Sequence, residues 1–433
     1  MSGLLGRWPR VSSAFVLFVA CSGGCAGHSA RTKTARAYLD QGAPWKAIDA
    51  INKELDVERA DQQPAELEAE DSLLLLERAS ILQQVARYSF SSRDLETADK
   101  HIELLDFSRE GLDDLGRYLY SDDSGPYRAP AYEKLMINTL NMVNYLSAGD
   151  LQGARVEARR FATMRAHLKD ESGHGVMGDA LGNYLAALTF ELSDNTDEAR
   201  VFYNDILDGT PAREISDMAK EALTRLGKKP PVCEHPEGCG TLVVVSSVGR
   251  LAPKESRRIP IGLALTYASV MLSARYTHLA GQGLVTWVNY PELGRTHAAS
   301  QPNIWLDQNT VGPTPVLNLD AIARSAWREA RAAVVASAII RAISRALAGE
   351  ATRQAVGGTL GAVLSLGGQA ALSAADTPDT RSWSTLPSAI FVARRQVRAG
   401  KQTLDFAAQG IRERRSVNVR KGGWALVSFV ALR

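Results

Sequence analysis

The chain has 433 residues, of which 45% are apolar and 23% are charged, and its formal net charge is +2. This length suits two or three globular domains with substantial cores. The near-neutral balance gives no support for nucleic-acid binding by the whole chain, and no module that interleaves basic and aromatic residues is visible. No nucleic-acid partner is therefore expected.

The N-terminus has the features of an export signal. Arg7 and Arg10 precede the apolar run "VSSAFVLFVA", residues 11–20. This run has the length of a secretory core and is too short to span a bilayer. A signal peptide over residues 1–20 is predicted.

The end of that run favours a lipid anchor. Small residues lie directly before Cys21, as lipidation of a cysteine requires, and Cys25 is the alternative anchor. A conventional signal peptide cut near residue 30 is the other interpretation. Ser22, and not an aspartate, follows Cys21, which predicts a protein anchored in the outer membrane of a Gram-negative bacterium and facing the periplasm. Residues 21–30 would be a linker.

Residues 31–229 have apolar positions at three- and four-residue spacing, which predicts helices. Four segments share a pattern of aromatic and small residues, a polar turn, and an alanine early in a second helix: Ala47, Ala98, Ala154 and Ala199. A small residue at that point lets two helices pack closely, as in tetratricopeptide repeats. The spacing is too long for regular repeats, so an irregular tetratricopeptide-like α-helical array is predicted.

Such an array can form a concave groove for a partner protein. Tyr145, Arg155 and Arg159 are the candidate partner-binding residues, and the alternative is an array that only spaces the C-terminal half from the anchor. Glu133 and Glu157 are the carboxylates that could serve acid–base chemistry, although the acidic residues of this half are typical of solvated helix faces.

A composition break follows at "GKKPPVCEHPEGCG". Prolines and glycines mark residues 230–240 as a linker. In an exported protein the spacing of Cys233 and Cys239 favours a disulfide, with free thiols as one alternative. His235 raises a metal site as the other, but a structural zinc site needs four ligands.

Residues 241–433 are predicted to be β-rich. "TLVVVSSV", "GLVTWVNYPEL", "AIFVARRQV", "QTLDFAA" and "SVNVRKGGWALVSFVALR" are typical of short strands separated by turns. They predict a small β-sandwich. The whole chain is therefore expected to be α+β, with the sandwich interrupted by a helical hairpin at about 319–375.

The insertion has a basic first helix and an uncharged second part. Residues 354–375 place glycine, serine and alanine on one helical stripe, which permits close helix contact. Three interpretations stay open: a helix buried on the β domain, insertion into a membrane or between copies of the chain, and a basic helix on anionic lipid. The stripe could join the chain into a homo-oligomer.

The sequence lacks the common motifs of enzymes. HExxH, the P-loop, Gly-x-Ser-x-Gly and the dinucleotide-binding fingerprint are absent, and the seven histidines are scattered. We therefore expect no catalytic residues, no metal site and no cofactor.

Four tracts carry a resemblance to a known family: "YEKLMINTLNMVNYLSAGDLQGARVEARR", "VVVSSVGRLAPKESRRIPI", "IIRAISRALA" and "DTRSWSTLPSAIFVARRQVRAGKQTL". Together they resemble an uncharacterised family of bacterial envelope lipoproteins with a tetratricopeptide-like N-terminal half and a C-terminal β-rich half. Members are often encoded beside a lipoprotein that activates penicillin-binding proteins. The resemblance implies a role near peptidoglycan synthesis or envelope assembly, without an established activity.

These observations predict a non-enzymatic, lipid-anchored periplasmic scaffold that binds envelope proteins. One alternative is a glycan- or cell-wall-binding protein that stacks sugars on Trp287, Trp383 or Trp424; another is a subunit of an export or surface-polymer complex. In "DTRSWSTLP" (379–387), Arg381 and Trp383 are predicted at a domain junction, with Trp383 filling the seam between the insertion and the sandwich.

Overall fold

A computed structural model describes most of the chain from residue 27 onward. It leaves out residues 69, 108–126, 128, 173–175, 210–211, 227, 229–232, 234, 282–284, 296–298 and 357–376. The predicted signal peptide, both candidate anchors, Cys21 and Cys25, and the part of the 354–375 stripe beyond residue 356 therefore lie outside the described residues.

The fold is α+β, as predicted, with helices in the N-terminal half and several sheets in the C-terminal half. The helices described in the N-terminal half are α1 (His28–Arg31), α2 (Lys33–Asp40), α3 (Pro44–Glu54), α4 (Asp71–Gln84), α5 (Tyr88–Phe107), α6 (Ala131–Ser147), α7 (Leu151–Ser172), α8 (Asp179–Leu192), α9 (Thr196–Asp208) and α10 (Arg213–Arg225).

Eight of these helices form four hairpins, α2–α3, α4–α5, α6–α7 and α8–α9, and each closes through a three-residue turn. The third turn residue donates its N–H to the carbonyl five residues back, as Asp150 does to Tyr145 at 2.8 Å. This is the Schellman closure of a helix. The central turn residue has a positive φ in all four: Gly42, Ala86, Gly149 and Asp194.

The alanines predicted at helix crossings are fully buried. Ala47, Ala154 and Ala199 are each the fourth residue of the second helix in a hairpin. The prediction for Ala98 was wrong in one respect, because α5 is a single helix and Ala98 lies near its middle. The fourth residue of α5 is Ser91, which is small, fully buried, and bonded through Oγ to the Ala79 carbonyl at 2.9 Å.

The elements described in the C-terminal half alternate between sheets and helices. They are β1 (Cys239–Val248), β2 (Lys254–Pro260), α11 (Ile261–Ala268), α12 (Ala274–Gly281), β3 (Trp287–Leu293), β4 (Asn303–Leu306), β5 (Asn309–Val311), β6 (Thr314–Asn318), α13 (Leu319–Val356), β7 (Ala389–Arg398), β8 (Gly400–Ala408), β9 (Ile411–Val419) and β10 (Trp424–Ala431).

The strands form two four-stranded sheets and a two-stranded ribbon. The first sheet has the order β10-β1-β7-β6, with β1 parallel to β10, and the second has the order β5-β4-β8-β9. The ribbon pairs β2 with β3. The two sheets pack face to face, and the rings of Phe406 and Phe429 stack between them with centroids 4.8 Å apart.

The first sheet is buried on both faces. In β1, Leu242 and Val244 join the core between the sheets, whereas Val243 and Val245 join the core of the helical array. A strand covered on both sides explains the unbroken apolar run "LVVV". The molecule thus has three layers, helices, first sheet and second sheet, and one hydrophobic core joins the two halves of the chain.

β2, β3, α11, α12 and α13 form a smaller unit with a core of its own, which we call the side lobe. α13, which the sequence predicts to be a basic helix, exposes only some of its arginines, because Arg341 and Arg345 are buried. The helix packs against α11, α12 and β3, so more of its circumference is enclosed than a one-sided amphipathic pattern implies.

Candidate functional site

The tract Thr380–Ser388 is an irregular segment in which every residue is buried. We call it the junction loop. Buried loops are rare because their backbone N–H and C=O groups need partners that water would otherwise supply. The helical array supplies those partners through two glutamates, one on α4 and one on α6.

Glu77 of α4 holds the centre of the junction loop. Its Oε1 atom accepts the N–H and the hydroxyl of Ser384, both at 2.8 Å, and Oε2 accepts the N–H of Thr385 at 2.7 Å. The ring of His28 lies 3.2 Å from Oε1. Burial raises the pKa of Glu77, but the hydrogen bonds from His28, Thr385 and Ser384 outweigh it and leave the pKa below its ordinary value.

Glu133 of α6 holds the start of the loop under different electrostatics. It accepts the N–H of Trp383 at 3.3 Å and the hydroxyl of Tyr127. Burial raises its pKa from 4.5 to about 7, against the hydrogen bond from Tyr127 and the charge of Lys254. This carboxyl group is therefore poised to change its charge near neutral pH.

Trp383 is fully buried, and its Nε1 donates to the hydroxyl of Ser80 on α4 at 2.9 Å. Trp383 fills the seam between the helical array and the first sheet. The prediction that it fills a seam between the insertion and the sandwich was therefore wrong. The proposal that Trp383 stacks sugars was also wrong, because no face of the ring is open. Trp424 is partly buried against the core, whereas Trp287 is 48% exposed.

Arg381 pairs with Asp379, the residue directly before the junction loop. Its Nε and Nη2 atoms donate to the carboxylate of Asp379 at 2.8 and 2.9 Å, and its guanidinium lies 5.9 Å from the Tyr127 ring. Arg381 and Trp383, which the sequence suggested as junction residues, thus both lie in the junction loop. Trp383 bonds to Glu133 directly, and Arg381 lies near Tyr127, which also bonds to Glu133.

A second polar contact joins the array to the first sheet. Glu191 of α8 accepts two hydrogen bonds from Arg394 of β7, at 2.7 and 2.9 Å, and two from Arg225. Tyr203 donates to the same carboxylate at 2.8 Å. Burial alone would raise the pKa of Glu191, but the two guanidinium groups lower it to about 2.

An open cleft of about 330 Å³ lies on the array between α5 and α6. We call it the α5–α6 cleft. Tyr145 forms part of its wall, donates to Glu96 at 2.5 Å, and packs on Gly153 of α7, where a side chain would overlap the ring. The lining residues are Tyr88, Ser89, Ser92, Arg93, Glu96, Asn144, Tyr145, Ala148 and Asp150.

Of the three predicted partner-binding residues, only Tyr145 lines this cleft. Arg159 is exposed and lies 5.8 Å from the ring of Phe190 on α8. Arg155 is half-buried, and its Nε atom is buried with no hydrogen-bond partner in the described part of the chain. The structure therefore does not bring the three residues together in this cleft.

The remaining residues singled out from the sequence make contacts that stabilise the fold. Cys233 and Cys239 are joined by a disulfide. Glu157 is buried, and its carboxylate accepts from Asn138 at 3.2 Å and pairs with Arg160 at 3.0 Å. Among the described residues, no group of three or more His, Cys, Asp or Glu side chains could hold a metal ion.

Sequence reasoning missed Glu77, although a signal for it exists. "SLLLLERASIL" places Glu77 and Arg78 inside a leucine-rich run, and charges in such a position need specific partners when buried. Arg78 finds them in Asp94, at 2.6 and 2.9 Å, and in Asn52. The partners of Glu77 in the junction loop, Ser384 and Thr385, lie more than 300 residues away, so the sequence alone could not name them.

No family model, curated protein or solved structure matches this chain. None of the described helices combines the length and the apolar character that crossing a bilayer requires. In the described part of the chain, the contacts of Glu77 and Glu191 thus fix the array to the C-terminal half, and the α5–α6 cleft is open to solvent.

Proposed function

We propose that this protein is a non-enzymatic scaffold, anchored by lipid at Cys21 to the periplasmic face of the outer membrane, which binds partner proteins of the envelope or peptidoglycan machinery. The observation that carries the proposal is the α5–α6 cleft, which stays open on an array of helical hairpins fixed to a sheet. A rigid array with an open cleft can bind a segment of another protein at little entropic cost to itself.

The chemistry of the cleft favours an extended peptide with a basic residue. Tyr88 and Tyr145 offer aromatic surface together with hydroxyl groups, a combination enriched where interfaces bind most strongly. Glu96 and Asp150 add two carboxylates, whereas the one lining arginine, Arg93, already pairs with Asp94 at 3.0 Å. Carboxylates thus outnumber arginines in the lining of the cleft, which gives it a negative charge.

A site-specific crosslink tests this role. A photoreactive amino acid at Ala148, in the cleft, should crosslink an envelope protein in living cells, and the same amino acid at Val201, exposed on α9, should not. Tyr145→Ala should reduce the Ala148 product. The scaffold proposal fails if both positions give the same products or none.

Loss of palmitate labelling in Cys21→Ala, with retention in Cys25→Ala, tests the anchor.

The glycan-binding alternative now depends on Trp287. This side chain is 48% exposed on the outer face of the β2–β3 ribbon, with the Arg258 guanidinium 5.5 Å from its ring. If the alternative holds, the protein should sediment with peptidoglycan sacculi and Trp287→Ala should abolish this. Assembly into an export complex through the 354–375 stripe stays a prediction.

A further inference from the structure

The side lobe carries a bare apolar tip. α11 and α12 pack on α13 through buried alanines, and the turn between the two short helices exposes Val270 by 87% and Met271 by 56%. Leu263, on the outer side of α11, is 42% exposed. We call these three side chains the lobe tip. Large apolar side chains exposed together mark a surface that meets a partner or a membrane.

The segment that carries the lobe tip is basic. Residues 256–291 contain three arginines, Arg257, Arg258 and Arg275, and no aspartate or glutamate. The lobe as a whole, residues 254–293 and 319–356, has ten Lys and Arg against five Asp and Glu, a net charge of +5. Because the whole chain carries +2, the rest of the molecule is net negative. The positive charge of the chain is therefore concentrated in the side lobe, which carries the apolar tip.

The flanking residues have the types that occur at lipid headgroups. Arg275 is exposed on α12, and Arg258 lies over the exposed ring of Trp287, the residue type enriched at membrane–water interfaces. Among the described residues, Arg257 is the one of these three arginines that has an ion pair, with Glu292 at 3.1 Å, and its side chain stays 57% exposed. Apolar side chains at an exposed turn with arginines beside them suit an anionic lipid surface, which attracts the basic residues and accepts the apolar ones.

We propose that the lobe tip inserts into the interfacial region of an anionic phospholipid bilayer, with Arg257, Arg258 and Arg275 against the headgroups. This contact is separate from the lipid anchor, because it depends only on residues of the side lobe. It is also separate from the α5–α6 cleft, so either proposal can fail while the other holds.

Vesicle flotation tests the proposal with the chain from residue 26 onward, which keeps every described residue and lacks the apolar run 11–20. We expect it to float with vesicles of phosphatidylglycerol and phosphatidylethanolamine and to bind much less to neutral phosphatidylcholine vesicles. Val270→Ser with Met271→Ser should lower the affinity for the anionic vesicles about tenfold, since two exposed apolar side chains lose their burial in lipid. Arg275→Ala should lower it about fivefold.

Val201→Ser is the matched control, because Val201 is 59% exposed on α9, far along the chain from the lobe. It should bind vesicles as the unchanged chain does. Three results would overturn the proposal: no flotation of the unchanged chain, equal binding to neutral and anionic vesicles, or full binding by the tip variant. If the unchanged chain does not float, capture of an envelope protein that depends on Val270 and Met271 would identify the occupant of the tip as a protein. The tip variant retains Trp287, so its effect is distinguishable from loss of glycan binding.

Discussion

Two glutamates hold the same loop in opposite electrostatic environments. Glu77 receives hydrogen bonds from Ser384, Thr385 and the His28 ring, which favour the ionised carboxylate. Glu133 receives one backbone N–H and the hydroxyls of Tyr127 and Tyr132, and among the described residues no guanidinium or ammonium group donates to it, so burial dominates and its pKa rises to about 7. The number and charge of the donors, and not the residue type, decide the charge of each group.

The raised pKa of Glu133 makes the stability of the fold depend on pH. A group whose pKa is higher in the folded than in the unfolded state contributes stability that is fully present below the unfolded value and is lost as the pH rises through the folded value. For Glu133 this loss lies between pH 4.5 and about 7 and amounts to roughly 3 kcal/mol. Glu133→Gln should therefore abolish that part of the decline in unfolding free energy, measured by urea titration across this range.

Other groups near Glu133 leave this window clear. Tyr127 and Tyr132 have pKa values raised by burial, and the pKa of Glu77 lies below its ordinary value, so its own loss of stability begins at more acidic pH. Lys254 acts on Glu133 only through its positive charge. Glu66→Gln, at an exposed position, is the control and should keep the wild-type slope. The same slope in Glu133→Gln would show that this carboxyl group is already ionised in the folded state.

At the scale of single elements, periodicity in the sequence indicated the helices, and glycine marked two of the four hairpin turns. Gly42 and Gly149 occupy left-handed positions where a residue without a side chain fits best. Ala86 and Asp194 adopt the same conformation, so their turns have no glycine signal. The sequence pattern therefore placed the hairpin that ends at Ala98 inside α5, whereas the true α4–α5 turn lies at 85–87 and the small residue at the crossing is Ser91, which bonds across to α4.

Ala86→Gly should stabilise the protein. Ala86 has a φ of +54°, where a Cβ atom is strained, and the side chain is exposed, so glycine removes strain without opening a cavity. The gain is reduced by the greater freedom of glycine in the unfolded chain, which leaves about 0.5–1 kcal/mol. Chemical denaturation measures it as a shift in the midpoint at unchanged slope.

Ala148→Gly is the matched control for that change. Ala148 belongs to the corresponding α6–α7 turn and is exposed, but its φ is −82°, where alanine is unstrained. Glycine there should therefore destabilise the protein by about 0.5–1 kcal/mol. If both substitutions shifted the midpoint in the same direction, strain at Ala86 would not be the cause.

At the scale of the whole molecule, the sequence indicated the strands but not what covers them. "TLVVVSSV" predicts a buried strand, and a two-layer sandwich would already account for it. The third layer follows from contacts between distant residues, such as Glu191 with Arg394, 203 positions apart. Predicted limits at 31–229 and 241–433 describe how the chain is ordered, whereas the core is shared between these ranges.

A shared core predicts that the two halves do not fold independently. A chain of residues 27–229 would expose the face that covers the first sheet and leave Glu77 and Glu133 without the junction loop, and uncompensated polar groups in an apolar surface are costly. We expect each half, 27–229 and 233–433, to lack a cooperative unfolding transition alone, and the mixed halves to form a one-to-one complex that regains it.

Trp383→Ala should weaken this complex at least about hundredfold, because a large buried side chain is removed from the seam. Trp287→Ala, the same change at an exposed tryptophan of the same half, should leave its affinity unchanged. Calorimetric titration of one half with the other measures both effects, and a cooperative transition of 27–229 alone, equal to that of the intact chain, would mean that the sheet adds nothing to the array.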